Sequence, residues 1–120
     1  MNIKKSNKKR TQIRLEPATL DAIDRAANLG SCTRTDVIVE LLAKLHRVLV
    51  FALLPHDMRE ELTHRMRGNK EATTVVNVRL PNLFIEYCQL NEYNLSQAIR
   101  IAAQLYLPNN DETNDNSQTN

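Results

Sequence analysis

A short strand-like pattern occurs twice in this chain of 120 residues. The first copy reads TQIRLEP at residues 11–17 and the second reads VNVRLPN at residues 76–82. In both copies a polar residue and an arginine alternate with apolar residues, and a proline follows. This alternation has the period of a strand with one buried face. So short a strand is not stable alone, because its backbone groups need a partner and its apolar face needs cover. The repetition therefore predicts that the two strands pair with each other in an antiparallel ribbon.

Two helical patterns follow each strand. In the first copy Pro17 suits the first turn of a helix that ends near Gly30, and a near capping box at Thr33 and Asp36 starts a second helix at about Arg34. In the second copy a proline again precedes a helix, and Asn94 caps the next one. The order strand, helix, helix is thus written twice, and the chain is expected to be mostly α with a two-stranded antiparallel β-ribbon.

Apolar residues at helical spacing define the expected core. The predicted inward residues of the ribbon are Ile13, Leu15, Val78 and Leu80. The helices are expected to bury Leu20, Ile23 and Ala27, then Val37, Ile38, Leu41, Leu42 and Leu45, then Phe84, Tyr87, Cys88 and Leu90, and finally Ile99, Ala102, Ala103 and Tyr106.

Charge and composition divide the chain into five segments. They are a disordered basic arm at residues 1–10, the first copy at 11–54, a linker with a short helix at 55–72, the second copy at 73–107 and a disordered acidic tail at 108–120. The net charge of +2 conceals this asymmetry, because the first 14 residues hold six basic residues and no acid.

Nothing in the sequence indicates an enzyme. Glu61 and His64 have the Glu-x-x-His spacing of carboxylate-bridged metal helices, but such bundles need a second motif of this kind and further Glu-bearing helices, so a solvated helix face is the better interpretation. The chain has only two glycines and no glycine-rich loop of the kind that binds phosphate. Cys32 and Cys88 have no CxxC partner. No cofactor, metal or membrane span is expected, and reduced cysteines favour the cytoplasm.

Two motifs carry a resemblance to a known family. The NVRLP stretch at residues 77–81 and the TRTDVI entry to a helix at residues 33–38 resemble the ribbon-helix-helix (MetJ/Arc) family of bacterial, phage and plasmid DNA-binding proteins. The resemblance covers residues 10–49 and 75–107, so it implies the rarer tandem form, a ribbon-helix-helix pseudo-dimer in one chain. It implies sequence-specific binding of double-stranded DNA by a monomer, or by a higher oligomer on DNA. The first function it implies is a transcriptional repressor, and the alternative is an accessory protein of conjugation that binds a plasmid transfer origin.

The resemblance assigns base reading in the major groove to the outward strand residues. These are Arg10, Gln12 and Arg14 in the first copy and Val75, Asn77 and Arg79 in the second. Their chemistry suits the role, because arginine can donate two hydrogen bonds to guanine and asparagine or glutamine can pair with adenine. Val75 departs from the polar pattern and either contacts a thymine methyl group or contacts nothing. The alternative is that all six residues form the solvated face of an amphipathic strand.

The resemblance also assigns DNA phosphate binding to the start of each second helix and to the basic arm. The residues are Thr33, Arg34 and Thr35, then Asn94, Leu95 and Ser96, together with Lys4, Lys5, Lys8 and Lys9. The alternatives are ordinary helix capping and a solvated arm. The second copy has no glycine equivalent to Gly30 and is expected to have the shorter turn between its helices.

A protein-interaction module, such as an antitoxin, is the competing class of function. Leu49, Phe51, Leu53 and Leu54 exceed the apolar surface that the first copy needs to bury, so this surface is a possible protein partner site. The alternative is that these residues pack against the linker helix through Met58, Leu62 and Met66.

Overall fold

The computed structural model describes residues 8–68 and 74–108. Within them the order of elements is β1 (Lys8–Leu15), α1 (Pro17–Gly30), α2 (Arg34–Val50), α3 (His56–Arg67), β2 (Thr74–Pro81), α4 (Asn82–Leu90) and α5 (Leu95–Tyr106). The expected mostly helical fold with a two-stranded antiparallel sheet is confirmed. The linker helix α3 lies within the predicted segment. The predictions for Lys4, Lys5 and the acidic tail beyond residue 108 concern residues outside the described ranges.

The two strands pair with each other along their whole length. Gln12 lies opposite Asn77 at the centre, Arg10 lies opposite Arg79 on one side, and Arg14 lies opposite Val75 on the other. The prediction of a disordered arm up to residue 10 is wrong for its last three residues, because β1 begins at Lys8. The reason is that β2 continues to Pro81 and supplies backbone partners for all three, so pairing overrides the basic composition.

The core lies between the ribbon and the helices. Ile13, Leu15, Val78 and Leu80 are at most 4% exposed, as predicted. The helices α2 and α5 pack on each other beneath the ribbon, with β2 on α2 and β1 on α5. Each strand therefore lies on the second helix of the other copy, and the two copies share one continuous core.

The prediction that Leu90 belongs to the core is wrong. Leu90 is 84% exposed, whereas Phe84 and Cys88 of the same helix are buried. Phe84 and Cys88 are four positions apart and share a face, but Leu90 is two positions beyond Cys88 and therefore points to the opposite side of the helix.

The linker helix α3 packs chiefly against α5. Leu62 and Met66 are buried, and the Met66 carbonyl accepts a hydrogen bond from the Asn94 backbone N–H at 2.7 Å. Leu49 is buried and Leu54 is half-buried against the core, so packing accounts for these two residues. Phe51 and Leu53 remain exposed.

Candidate nucleic-acid interface

The outer face of the ribbon carries all six predicted base-reading residues. Arg10, Gln12, Arg14, Val75, Asn77 and Arg79 are all exposed, in three cross-strand pairs. The guanidinium groups of the three arginines have no hydrogen-bond or ion-pair partner among the described residues. A two-stranded ribbon has the width of the DNA major groove. The face therefore presents unpaired donors in a shape that can enter the groove.

The start of α2 is capped by a complete capping box. The Asp36 backbone N–H donates to the Thr33 hydroxyl at 3.1 Å, and the Thr33 backbone N–H donates to the Asp36 carboxylate at 3.1 Å. Hydrogen bonds from the Thr33 backbone and from the Thr33 side chain to the Asp36 carboxylate lower the pKa of Asp36. Capping thus uses the amides of Thr33 and Asp36, which leaves those of Arg34 and Thr35 as the remaining donors of the first turn. The predicted cap is confirmed, and it is compatible with anion binding by the other two amides.

Arg34 is held by an acid on the neighbouring helix. Its Nε and Nη2 atoms donate to the two carboxylate oxygens of Asp24 at 2.8 and 2.9 Å. The hydrogen bonds from Arg34 lower the pKa of Asp24. The two residues line an open groove that also includes Thr35 and reaches Asn77 on the ribbon. The predicted phosphate-binding side chain therefore lies beside the ribbon, but its charge is already neutralised.

The start of α5 has no acidic side chain of its own. Two backbone N–H groups at this helix start already have partners. That of the cap residue Asn94 donates to the Met66 carbonyl, and that of Gln97 donates to the Asn94 side chain at 3.1 Å. The amides of Leu95 and Ser96 are the donors that remain in this turn. The Ser96 hydroxyl accepts a hydrogen bond from the Arg14 backbone N–H at 3.0 Å, which fixes the helix start against the ribbon.

The turns that place these two helix starts have the same form. In each turn the residue two positions before the cap has a left-handed backbone, Ser31 with φ 55° and Glu92 with φ 59°. The following residue then donates back to the preceding helix, Cys32 to the Ala27 carbonyl and Tyr93 to the Cys88 carbonyl. The expectation of a shorter turn in the second copy is wrong. The shortening lies in the helix before it, since α4 has 9 residues and α1 has 14.

We expect Glu92→Gly to stabilise the fold by about 0.5–1 kcal/mol, because glycine adopts a positive φ without the Cβ strain that glutamate has. Urea denaturation followed by circular dichroism measures the change. The matched control is Glu86→Gly, at an exposed position within α4, which should destabilise by about 1 kcal/mol. Equal losses in the two variants would contradict the assigned strain at Glu92.

The lysines of the described arm lie in the ribbon. Lys8 and Lys9 are exposed residues of β1, opposite Pro81 and Leu80. The positive charge of Lys8 contributes to the lowered pKa of Asp36, after the hydrogen bonds from Thr33. Lys8 therefore lies on the same side of the molecule as the start of α2.

Sequence reasoning missed two acidic residues and one basic residue that shape this surface. Asp24 pairs with Arg34, and Glu16 forms an ion pair of 2.7 Å with Arg100, whose side chain is only 8% exposed. Arg100 has apolar residues on both sides in the stretch AIRIAA of α5. This position within an apolar stretch indicates that its side chain is buried. Asp24 gave no signal, because it lies on the exposed half of an ordinary amphipathic helix.

The remaining chemistry of the described residues is limited. Burial raises the pKa of the Cys88 thiol to about 11, and Cys32 is exposed and unpaired. No cluster of three or more His, Cys, Asp or Glu side chains suited to a metal occurs in residues 8–68 and 74–108. In the same residues no helix combines the length and the apolar character needed to cross a membrane.

Comparisons with protein-family models, curated proteins and solved structures found no match to this chain.

Proposed function

We propose that this protein binds double-stranded DNA in a sequence-specific manner by inserting the outer face of the β1–β2 ribbon into the major groove. The observation that carries the proposal is the set of three unpaired arginines on the exposed face of a two-stranded ribbon. The two helix starts beside this face, at Thr35 and Ser96, offer amides to the flanking phosphates. The role is regulation of transcription, as a repressor, or binding of a plasmid transfer origin in conjugation, in the reducing cytoplasm that the unpaired cysteines favour. It is not an enzyme.

One chain supplies both strands, so we infer a tandem ribbon-helix-helix pseudo-dimer that binds as a monomer. The support is the pairing of β1 with β2 within the chain and the packing of each strand on the second helix of the other copy. Light scattering at low micromolar concentration should give the mass of one chain, 13.8 kDa. A dimer that loses its helical structure on dilution would instead indicate exchange of strands between two chains.

The function is tested with fluorescently labelled duplexes from the region upstream of the protein's own gene and with random duplexes. Fluorescence anisotropy should show binding to both, tighter for the upstream DNA, with an affinity that falls steeply as salt rises, because phosphate contacts release counterions. Absence of binding at low salt would contradict the proposal.

A protein partner remains the second candidate function, favoured by one observation. Val50, Phe51, Leu53 and Met58 form an exposed apolar corner at the junction of α2 and α3, 47–69% exposed. This corner belongs to the end of α2 opposite the ribbon-side cap, so a protein bound there would not compete with DNA for the ribbon.

We expect Asp24→Asn to tighten DNA binding about fivefold and to steepen the salt dependence by about one counterion. The substitution frees the Arg34 fork for a phosphate and removes a carboxylate that would repel it. Anisotropy titrations at several salt concentrations measure both effects. Asp21→Asn makes the same charge change on an exposed position of α1 that faces a different groove, and it should have little effect. If the double variant Asp24→Asn/Arg34→Gln kept the full gain in DNA affinity, that gain would not depend on Arg34.

A further inference from the structure

The two ends of the ribbon differ in the side chains that they present outward. On one side of the central Gln12–Asn77 pair lies Arg10 opposite Arg79, and on the other side lies Arg14 opposite Val75. All of these residues are exposed, including Val75 at 40%. One end therefore has two arginines, whereas the other has one arginine and one apolar side chain.

The pairing register, rather than the strand, decides which arginines act together. In an antiparallel ribbon, side chains directly opposite each other have Cβ atoms about 5 Å apart. Arg10 and Arg14 lie on the same strand but are separated by about 13 Å of extended chain, which corresponds to about four base-pair steps. Arg10 and Arg79 can therefore reach neighbouring bases, and Arg10 and Arg14 cannot.

The end with two arginines is also the end with more positive charge beyond it. Lys8 lies two residues before Arg10, at the start of β1, and is exposed, and its partner in the ribbon is the uncharged Pro81. At the other end the ribbon stops one pair beyond Arg14 and Val75, at the uncharged Leu15 and Thr74, and the residue two positions beyond Arg14 is the acidic Glu16. A base pair at the Arg10–Arg79 end thus meets more hydrogen-bond donors and more positive charge than a base pair at the Arg14–Val75 end.

We propose that the DNA target is directional, with guanines in the half of the site that meets Arg10 and Arg79, and A·T pairs accepted in the half that meets Val75. Each arginine can donate to O6 and N7 of a guanine, and an apolar side chain can contact a thymine methyl group. The proposal rests on the proposed function, since it specifies the sequence that the same ribbon reads. A ribbon of two identical strands would place equal residues at both ends and read an inverted repeat.

The test is selection of binding sites from a random duplex library with the full chain. The wild type should select a non-palindromic site, with more guanines in the half that meets Arg10 and Arg79 than in the half that meets Arg14 and Val75. Val75→Arg should select guanines in both halves, and its affinity for a duplex with guanine added in the second half should exceed that of the wild type by about tenfold. The matched control is Arg10→Val, which should weaken the guanine preference in the first half to that of a single arginine, because Arg79 remains there. Both substitutions are at exposed positions, so the core is untouched.

The outcomes separate the proposal from the function on which it rests. Selection of a palindrome by the wild type, or of the same site by the wild type and Val75→Arg, would overturn directional reading while leaving DNA binding intact. No enrichment of any sequence by the wild type, together with salt-sensitive binding of random DNA, would overturn sequence-specific binding itself.

Discussion

Glu16→Ala is expected to destabilise the fold by about 2–3 kcal/mol. Glu16 neutralises Arg100, whose side chain is 8% exposed and whose only other polar partner among the described residues is the Gln97 side chain at 2.9 Å. Removal of the acid leaves a buried guanidinium without its counter-charge, which costs about 3–5 kcal/mol in a fully buried pair. The expected loss of stability is smaller than this, about 2–3 kcal/mol, because the Glu16 side chain is 32% exposed and water can reach the site.

Arg100→Met should cost much less, about 1 kcal/mol or below, because methionine fills similar volume and the remaining carboxylate of Glu16 can reach solvent. Chemical denaturation of both single variants and of the double variant measures the difference, and the double variant should resemble Arg100→Met. Glu40→Ala, which removes an exposed pair with Lys44, is the control and should change stability by no more than about 0.5 kcal/mol. A larger loss in Arg100→Met than in Glu16→Ala would contradict this assignment of the buried charge.

Arg79→Ala and Arg14→Ala should each weaken binding to the preferred DNA by about 1–3 kcal/mol and weaken binding to random DNA far less. The reason is that a base contact adds affinity only where the matching base is present, whereas phosphate contacts act on every sequence. Competition titrations with preferred and random duplexes measure the two effects separately. Arg47→Ala removes an equal charge from the far end of α2 and should leave both affinities nearly unchanged. Equal losses on the two duplexes would remove the arginines from base reading and leave them as phosphate contacts.

The ribbon could be predicted from the sequence because its two strands each alternate between apolar and polar residues. An antiparallel pairing in register buries Ile13, Leu15, Val78 and Leu80 on one face, and the structure has this pairing. The start of β1 could not be predicted, because Lys8, Lys9 and Arg10 have the composition of a solvated arm and become strand only through backbone partners on β2.

The electrostatic environment of the candidate interface could not be predicted in the same way. The sequence indicated Arg34 at the start of α2, but the acid that holds it, Asp24, lies on a different helix and is brought to it only by the α1–α2 turn. The same holds for Glu16 and Arg100, which come from different copies. Periodicity shows which face of an element is polar, and it does not show which polar residues of two elements meet.

Contact of the ribbon's outer face with duplex DNA is tested most directly by nuclear magnetic resonance of the isotope-labelled chain. On titration with a duplex, the largest changes should occur at the backbone amides of Arg10, Gln12 and Asn77 and at the helix starts around Thr35 and Ser96. The amides of the apolar corner around Phe51 and Leu53 should be unchanged. Changes centred on that corner, with the ribbon amides unaffected at saturating DNA, would contradict DNA binding by the ribbon.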